Sequence, residues 1–285
     1  MLLSFRKQIT FSRISLVVFL TGIGIFMLLP IIFLFNNAFK PLNELFLFPP
    51  RIFVQHPTMY NFEQLFLHTS AGVVPFTRYL FNSVFIALIT TFSVLIVSTM
   101  AGYVLSKHRF HFKAFIMGAI LIALMFTPET VAIPRYLIVS GLGLKNSYLA
   151  HILPFLASPV AVFLMKQFID QIPTPLIEAA KLDGATDMYI FIRIIIPLTS
   201  PAVATAAIIT FQTVYMDVEG STLYMTKETM KTLAYYVEAM TLNIPGVAQI
   251  SIASSIGLLM FLPNLIIFLL FQRKMIQTML HSGVK

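Results

Sequence analysis

The chain has no cysteine and no tryptophan, and only 11% of its 285 residues are charged. Without cysteine there is no disulfide framework and no thiolate metal site, and nothing fixes a redox compartment. Soluble domains carry about 25% charged residues. The shortage of charge, with 58% hydrophobic residues and a mean hydropathy of +0.88, therefore excludes an ordinary water-soluble fold. Acids are scarcer than bases, 11 against 19, which leaves a net charge of +8 and a pI near 9.7. The bases stand singly at the ends of apolar runs, a distribution that serves membrane orientation rather than nucleic-acid binding. A glycine-rich phosphate loop ending in Lys-Ser/Thr is also missing, so the chain does not hold ATP by that device. No Ser/His or paired-Asp arrangement lies within the apolar runs, which removes the support for an intramembrane protease or transferase. Of His56, His68, His108, His111, His151 and His281, only His108 and His111 are close together. Arg109 and Lys113 beside them repel a cation, so no metal ligands are expected.

What the chain does have is long uncharged runs. About 20 apolar residues cross a bilayer core as a helix. Six runs are read as spans, approximately 14–35, 79–106, 114–134, 146–165, 194–216 and 250–271, giving an all-α integral membrane protein of one transmembrane domain over 1–285. The first run is too long for a signal peptide and is followed by no small-x-small cleavage site, so it is expected to remain as an anchor. The segments on the side of the termini hold 12 of the 19 bases and 4 of the 11 acids, and the opposite side holds 7 of each. The whole net charge thus lies on one face, and the positive-inside rule places both termini in the cytoplasm. Three segments then face out. Asn36 to about Thr77, with Pro49-Pro50, reads as a packed loop. Arg135 to Lys145 reads as a short turn through Gly141-Leu-Gly143, and Asp217 to Glu238 as a small cap that meets a partner.

Between the fourth and fifth runs lies a polar interruption, Pro173-Thr-Pro-Leu-Ile-Glu-Ala-Ala-Lys-Leu-Asp-Gly-Ala185, continuing to Ile194-Ile-Ile196-Pro197. Thr174 is expected to cap a short helix, Pro175 to take its first position, and Gly184 to stop it. That places a cytoplasmic helix over about 174–184, and Ala179 and Ala180 give it a shallow surface for close approach. Pro197 and Pro201 are expected to break the start of the fifth span, and Pro30, Pro154, Pro159 and Pro263 are further candidate breaks around a solute site.

The spacing Glu178-Ala-Ala180, Gly184, Ile194-x-Ile196-Pro197 resembles the signature loop of binding-protein-dependent ABC importer permeases, departing only at Ile196, where the family usually has leucine. The resemblance is to the sugar-importer branch, the maltose-type second permease subunit. It is carried further by Arg78-Tyr-Leu-Phe-Asn-Ser83, Ala101-Gly-Tyr-Val-Leu-Ser-Lys107, Ile133-Pro-Arg-Tyr136, Gly141-Leu-Gly-Leu144, Asp183-Gly-Ala185 and the ending Phe271-Gln-Arg273 with Ser282-Gly-Val-Lys285. Tyr215-Met216-Asp217 stands where the family usually has Trp-Asn-Asp or Trp-Asn-Glu, so specificity is expected to depart there.

The resemblance implies a type I ABC importer permease fold and a multi-pass protein of a bacterial or archaeal plasma membrane. It further implies a second homologous permease subunit, two ATPase subunits (a homodimer or heterodimer) and an extracellular solute-binding protein delivering a carbohydrate. The chain itself would be no enzyme and would carry no cofactor, since ATP and Mg would be bound by the ATPase subunits. Glu178, Ala179, Ala180, Asp183, Gly184 and Ala185 would couple to an ATPase. Asn82, Gln212 and Tyr215 are read as pathway residues, because a sugar needs amide, hydroxyl and aromatic partners. Glu129 is the one acid expected at membrane depth, at the outer end of a span. Two alternatives stay open: an importer of a phosphorylated polyol or other small polar solute, and an ion-coupled carrier or channel. The latter should show buried charges or an inverted repeat, neither of which is evident in the sequence.

Overall fold

The computed structural model describes residues 11–45, 47, 49, 51, 53–63, 65, 74–243 and 248–282, without side chains at 11–13, 42, 241–243, 248–251 and 276–282. Arg6, Lys7, Pro50, His68, the side chain of His281 and the chain end at 283–285 lie outside the described residues. Among the described residues the regular structure is entirely helical. The chain divides into two compact units, Met1–Leu67 with Asn243–Leu259, and His68–Leu242 with Met260–Lys285.

The first unit holds α1 (Phe11–Ala38) and α2 (Leu42–Leu45). Over its described residues the loop after α1 is packed by polar groups that it supplies itself. The Lys40 ammonium donates to the Arg51 carbonyl at 2.7 Å, and Asn61 Nδ2 donates to the carbonyls of Ala38 and Lys40 at 3.0 and 2.8 Å. The Glu44 carboxylate accepts the backbone N–H groups of Gln55 and His56, and those bonds hold its pKa below the usual value. The bonds of Asn61 cover backbone carbonyls that would otherwise be buried without a partner.

The second unit is built on α3 (Phe76–Lys107), an uninterrupted helix of 32 residues, about 48 Å long at 1.5 Å per residue. Around it pack α6 (Tyr148–Leu156), α7 (Pro159–Asp170) and α11 (Ser200–Tyr215). Small residues let them approach: Ala161 and Ala206 meet Val94 in the core, and a Cβ added at Gly102 would stand 3.0 Å from the Met165 side chain and the Lys166 backbone. In a membrane such contact surfaces replace the hydrophobic drive between helices. The remaining elements are α4 (Lys113–Ala123), α5 (Ala132–Gly141), α8 (Thr174–Leu182), α9 (Asp187–Ile190), α10 (Ile196–Leu198), α12 (Glu219–Tyr224), α13 (Leu233–Asn243) and α14 (Ala248–Ser282), the last running through both units.

Among the described residues three helical stretches are long and apolar enough to cross a bilayer: Ile14–Ala38, Phe76–Lys107 and Ile252–Met275. Two bent pairs, α6 with α7 at 43° and Asp187–Leu198 with α11 at 77°, are long and apolar enough when each is taken together. Ser158 and Pro159 start a new helix after α6, and Thr199 sits at the second bend between Pro197 and Pro201. The expected breaks at Pro197 and Pro201 are therefore present, whereas α1 and α14 run without interruption through Pro30 and Pro263. The expected single span over 114–134 is two pieces, α4 and α5, joined by turns at 124–131. Pro128 lacks an N–H donor, Thr127 and Thr130 pair their hydroxyls at 3.0 Å, and Glu129 is an exposed turn residue rather than part of a helix. Correspondingly, 135–145 is not a short turn: α5 occupies it as far as Gly141.

Candidate functional site

The interruption between α7 and α9 folds as a short helix with a defined stop. α8 begins at Thr174, with Pro173 in the capping position and Pro175 within the first turn, so Thr174 is not the cap expected from the sequence. Ile177 is the one fully buried side chain of the helix, whereas Glu178 and Ala179 are exposed and Ala180 is partly covered. The C-terminus closes as a Schellman motif: the Gly184 N–H donates to the Lys181 carbonyl and the Ala185 N–H to the Ala180 carbonyl, both at 3.0 Å. Gly184 makes the reversal at φ +83°, a left-handed value that a side chain disfavours even though the space around its Cα is open. Ala180, Asp183, Gly184, Ala185, Thr186 and Tyr189 line an open depression of about 460 Å³. Apolar side chains rim the loop, Leu182 at 89% exposure and Met188 and Tyr189 each above half.

The loop is seated on the C-terminal end of α3. Tyr103, Met165, Ile169, Ile172, Ile177, Ile190, Phe191 and Ile195 form one buried cluster, against which Ala180 and Ala185 pack. Around it, Lys107 Nζ donates to the Ile172 carbonyl at 2.6 Å, and Ser106 Oγ donates to Asp170 at 2.6 Å. Lys181 pairs with Asp187 across the glycine stop at 2.9 Å, and that bond holds the Asp187 carboxyl below its usual range. Past α9 the chain takes one π-helical turn, Phe191–Ile195, before α10 and the 77° bend into α11. Such turns recur at functional positions in helices.

The other end of α3 carries the cap, residues 217–243. Asn82 is fully buried, and its amide donates to the carbonyls of Thr229 and Lys231 at 2.9 and 2.8 Å while its oxygen accepts from the Tyr148 hydroxyl at 2.8 Å. Arg78 Nε donates to the same Thr229 carbonyl, the Tyr79 hydroxyl to Glu228, and the Leu233 N–H to Ser83 Oγ at 2.7 Å. Arg78-Tyr-Leu-Phe-Asn-Ser83, singled out in the sequence only for its part in the resemblance, is thus the fastening of the cap. Asn82, expected on a solute pathway, has both donors and its acceptor engaged in that fastening and presents nothing to a solute. Within the cap, Arg135 from α5 grips both oxygens of Glu219 at 2.6 Å. Asp217 accepts from the Gly220 N–H at 3.0 Å, and burial pushes its pKa up to about 6. A Cβ at Gly220 would stand 2.6 Å from Asp217 Oδ2 and 2.7 Å from His151 Nδ1, so only glycine fits there.

The other two pathway candidates lie on the last turns of α11. Gln212 is exposed on the chain surface, and Tyr215 is buried, stacked on Phe211 at 5.4 Å with its hydroxyl unpartnered. The structure does not bring Asn82 and these two to a common polar cavity.

Comparison with known proteins fits this arrangement. Residues 73–275 match the family described as binding-protein-dependent transport system inner membrane component. The chain is 30% identical, over 284 residues and all of both chains, to the arabinooligosaccharides transport system permease protein AraQ of Bacillus subtilis. Its fold is that of a chain in a bacterial ABC transporter involved in the import of the acidic polysaccharide alginate, with a TM-score of 0.79 at 21% identity over 92% of this chain and 96% of that one. A second structure, the alginate ABC transporter in complex with an alginate pentasaccharide-bound periplasmic protein, matches with a TM-score of 0.60 at 17% identity over 91% and 93%. The fold is therefore the type I importer permease fold expected from the sequence. The chain belongs to the binding-protein-dependent transport system inner membrane components, the multi-pass cell-membrane permease subunits of ABC importers.

Proposed function

We propose that this chain is one of two permease subunits of an ATP-driven importer for an oligosaccharide or sugar delivered by an extracellular solute-binding protein. The observation that carries the coupling reading is the α8 loop. A Schellman-stopped helix presents Glu178-Ala-Ala180 beside an open depression, rimmed by apolar side chains that nothing among the described residues covers. Glu178, Ala179, Ala180, Asp183, Gly184 and Ala185 would dock on an ATPase subunit, which binds ATP and Mg, and α8 would carry its closure into the spans. Six spans with both termini cytoplasmic remain our reading of the topology, with the broken α4–α5 segment as the third. A homologous second permease would complete the pathway, with Gln212 and Tyr215 as candidate lining residues on this side. The carbohydrate class is supported by the arabinooligosaccharide relative and the alginate importer fold.

The test is ATP hydrolysis by the purified assembly in lipid, with and without loaded binding protein. Ala180→Glu or Gly184→Asp is expected to leave membrane insertion intact and to abolish stimulation by the loaded binding protein. Gly184→Asp also forces a side chain into a left-handed backbone, at about 1–2 kcal/mol. Normal stimulation in both variants would overturn the assignment of the loop.

A further inference from the structure

The turn that follows α3 concentrates positive charge and aromatic rings. Lys107-His-Arg-Phe-His-Phe-Lys113 puts three bases, two histidines and two phenylalanines into seven positions, and no acid occurs from Lys107 to Pro128. Most of the polar groups are spent on the fold. Lys107 Nζ donates to the Ile172 carbonyl at 2.6 Å, and Lys113 Nζ reaches back to the carbonyls of Ser106 and His108 at 3.1 and 3.3 Å, covering the end of α3. The His108 ring packs edge-on against Tyr103 at 5.2 Å. Arg109 and His111 are left over: both are exposed, and neither has a hydrogen bond or ion pair among the described residues. The positive charge is not cancelled by these contacts, because the two ammonium groups rest on neutral carbonyls. The acids that interact with the turn are already paired, Asp170 with Lys166 at 2.5 Å and Asp187 with Lys181 at 2.9 Å.

Apolar rings stand beside that charge. Phe112 is 68% exposed and Phe115 75%, with Phe110 and Ile116 exposed next to them. Phe112 and Phe115 are three positions apart at the start of α4 and so share one of its faces. α4 itself has no fully buried side chain and runs on without charge to Ala123. Within a few residues the surface thus passes from an uncharged helix, through two projecting rings, to an unpaired guanidinium and an imidazole. A bilayer presents the matching order at its inner face, acyl chains first and phosphodiesters next. The turn lies at the same end of α3 as the α8 loop, on the side that carries the chain's excess of bases.

Resting on the topology given above, in which this end of α3 is cytoplasmic, we propose that residues 109–115 form a site for an anionic phospholipid of the inner leaflet. Arg109 donates charge-assisted hydrogen bonds to the phosphodiester, for which the planar guanidinium is suited, and an N–H of the His111 ring supplies a further donor. Phe112 and Phe115 lie against the glycerol end of the acyl chains. Lys107 and Lys113 stay on their carbonyls and add attraction from a distance. A lipid with a net negative charge is preferred to a zwitterionic one, whose own ammonium group competes for the phosphate. Because Lys113 and His108 pin the turn to the end of α3 on which the α8 loop is seated, the lipid becomes part of the support of that loop.

Because the chain lacks cysteine, Ala114→Cys, at an exposed position, takes a single fluorophore. The labelled chain is assembled with partners that carry no reactive cysteine and reconstituted in phosphatidylcholine vesicles. Quenching by phosphatidylglycerol brominated near the glycerol end of its chains is compared with quenching by phosphatidylcholine brominated in the same place, at equal mole fraction. The parent is expected to prefer phosphatidylglycerol, and less so at high salt. Arg109→Gln is expected to lower that preference about fivefold, Arg109→Lys to keep most of it, and Phe112→Ala to weaken both lipids alike. An unchanged preference in the double variant Arg109→Gln, His111→Gln overturns the site, since lipid would then be gathering at any basic surface. A label that both lipids quench in the permeases alone and neither quenches in the full complex overturns it in favour of an ATPase contact. Displacement of the lipid by inorganic phosphate at matched ionic strength overturns the commitment to a membrane ligand. Modification of Ala114→Cys from outside the cell by an impermeant thiol reagent would instead overturn the topology, whatever the lipid preference.

Discussion

The two ends of α3 are fastened by different chemistry. Asn82 and Tyr103 are 21 positions apart, about 32 Å along the helix. At the Asn82 end the contact is polar: Arg78, Tyr79, Asn82 and Ser83 bond to four residues of the cap, Glu228, Thr229, Lys231 and Leu233. At the Tyr103 end the contact is mainly apolar, and the loop is closed by an exposed ion pair, a glycine reversal and a π-turn. Buried, fully satisfied hydrogen-bond networks fix one geometry, because each alternative leaves a group unpaired. Apolar clusters over small residues tolerate sliding, because dispersion has no direction. The contrast assigns rigidity to the cap and compliance to the loop, as an importer needs if a binding protein docks on a fixed platform and an ATPase drives a moving part.

Asn82→Ala should break the comparison most severely. It strips the Thr229 and Lys231 carbonyls and the Tyr148 hydroxyl of a partner at once, although Thr229 and Tyr148 keep Arg78. The expected loss is about 2–4 kcal/mol, local to the cap. Hydrogen exchange at 219–233 should accelerate while exchange in α8 stays as it was. Unchanged protection in the cap would mean that the network does not hold it.

The next effect is pH-dependent. Asp217 is raised from 3.8 to about 6 by burial, beside the like charge of Glu219 and within reach of Arg135. A carboxyl raised on folding takes up a proton as the chain folds. Its destabilising effect is therefore absent below pH 4, grows as pH rises, and is complete above about 6. The cap should be more protected from exchange at pH 5 than at pH 7.5, by of the order of 1–3 kcal/mol. Asp217→Asn keeps an acceptor for the Gly220 N–H and should abolish the difference. A cap whose exchange is pH-independent after correction for chemistry would refute the assignment. The same residue sharpens the departure seen in the sequence: Tyr215-Met216-Asp217, in place of the family's usual triplet, stands where α11 ends and the cap begins.

The sequence made the two ends legible to different degrees. Gly184 announced its own role, because a short polar helix followed by glycine has few other ways to close, and the structure differs only in starting the helix at Thr174. The uncharged run of α3 was equally plain. The fastening at Asn82 was not, because its partners lie about 150 residues away in a segment with no regular spacing. The break in 114–134 was obscured by uniform apolarity, which a straight helix and two helices joined by turns satisfy alike; Pro128 and the flanking threonines were the available signal. The π-turn is Phe-Ile-Arg-Ile-Ile, which carries no local mark at all. Its position follows only from what the Tyr103 cluster and the 77° bend require on either side.

Lys181→Ala should have the smallest effect on stability. Both partners of its pair are about half exposed, and solvent-exposed ion pairs contribute little because water screens them and two side chains must be ordered. The thermal midpoint should not move measurably, and exchange in the cap should be identical to the parent. The loop itself should respond, because the pair spans the Gly184 reversal: hydrogen exchange at 181–187 should rise slightly above the parent's. A lowered midpoint equal to that of Asn82→Ala would erase the distinction between a rigid end and a compliant one. Unchanged exchange there would leave the closure of the loop to the glycine reversal and the two backbone bonds of its stop.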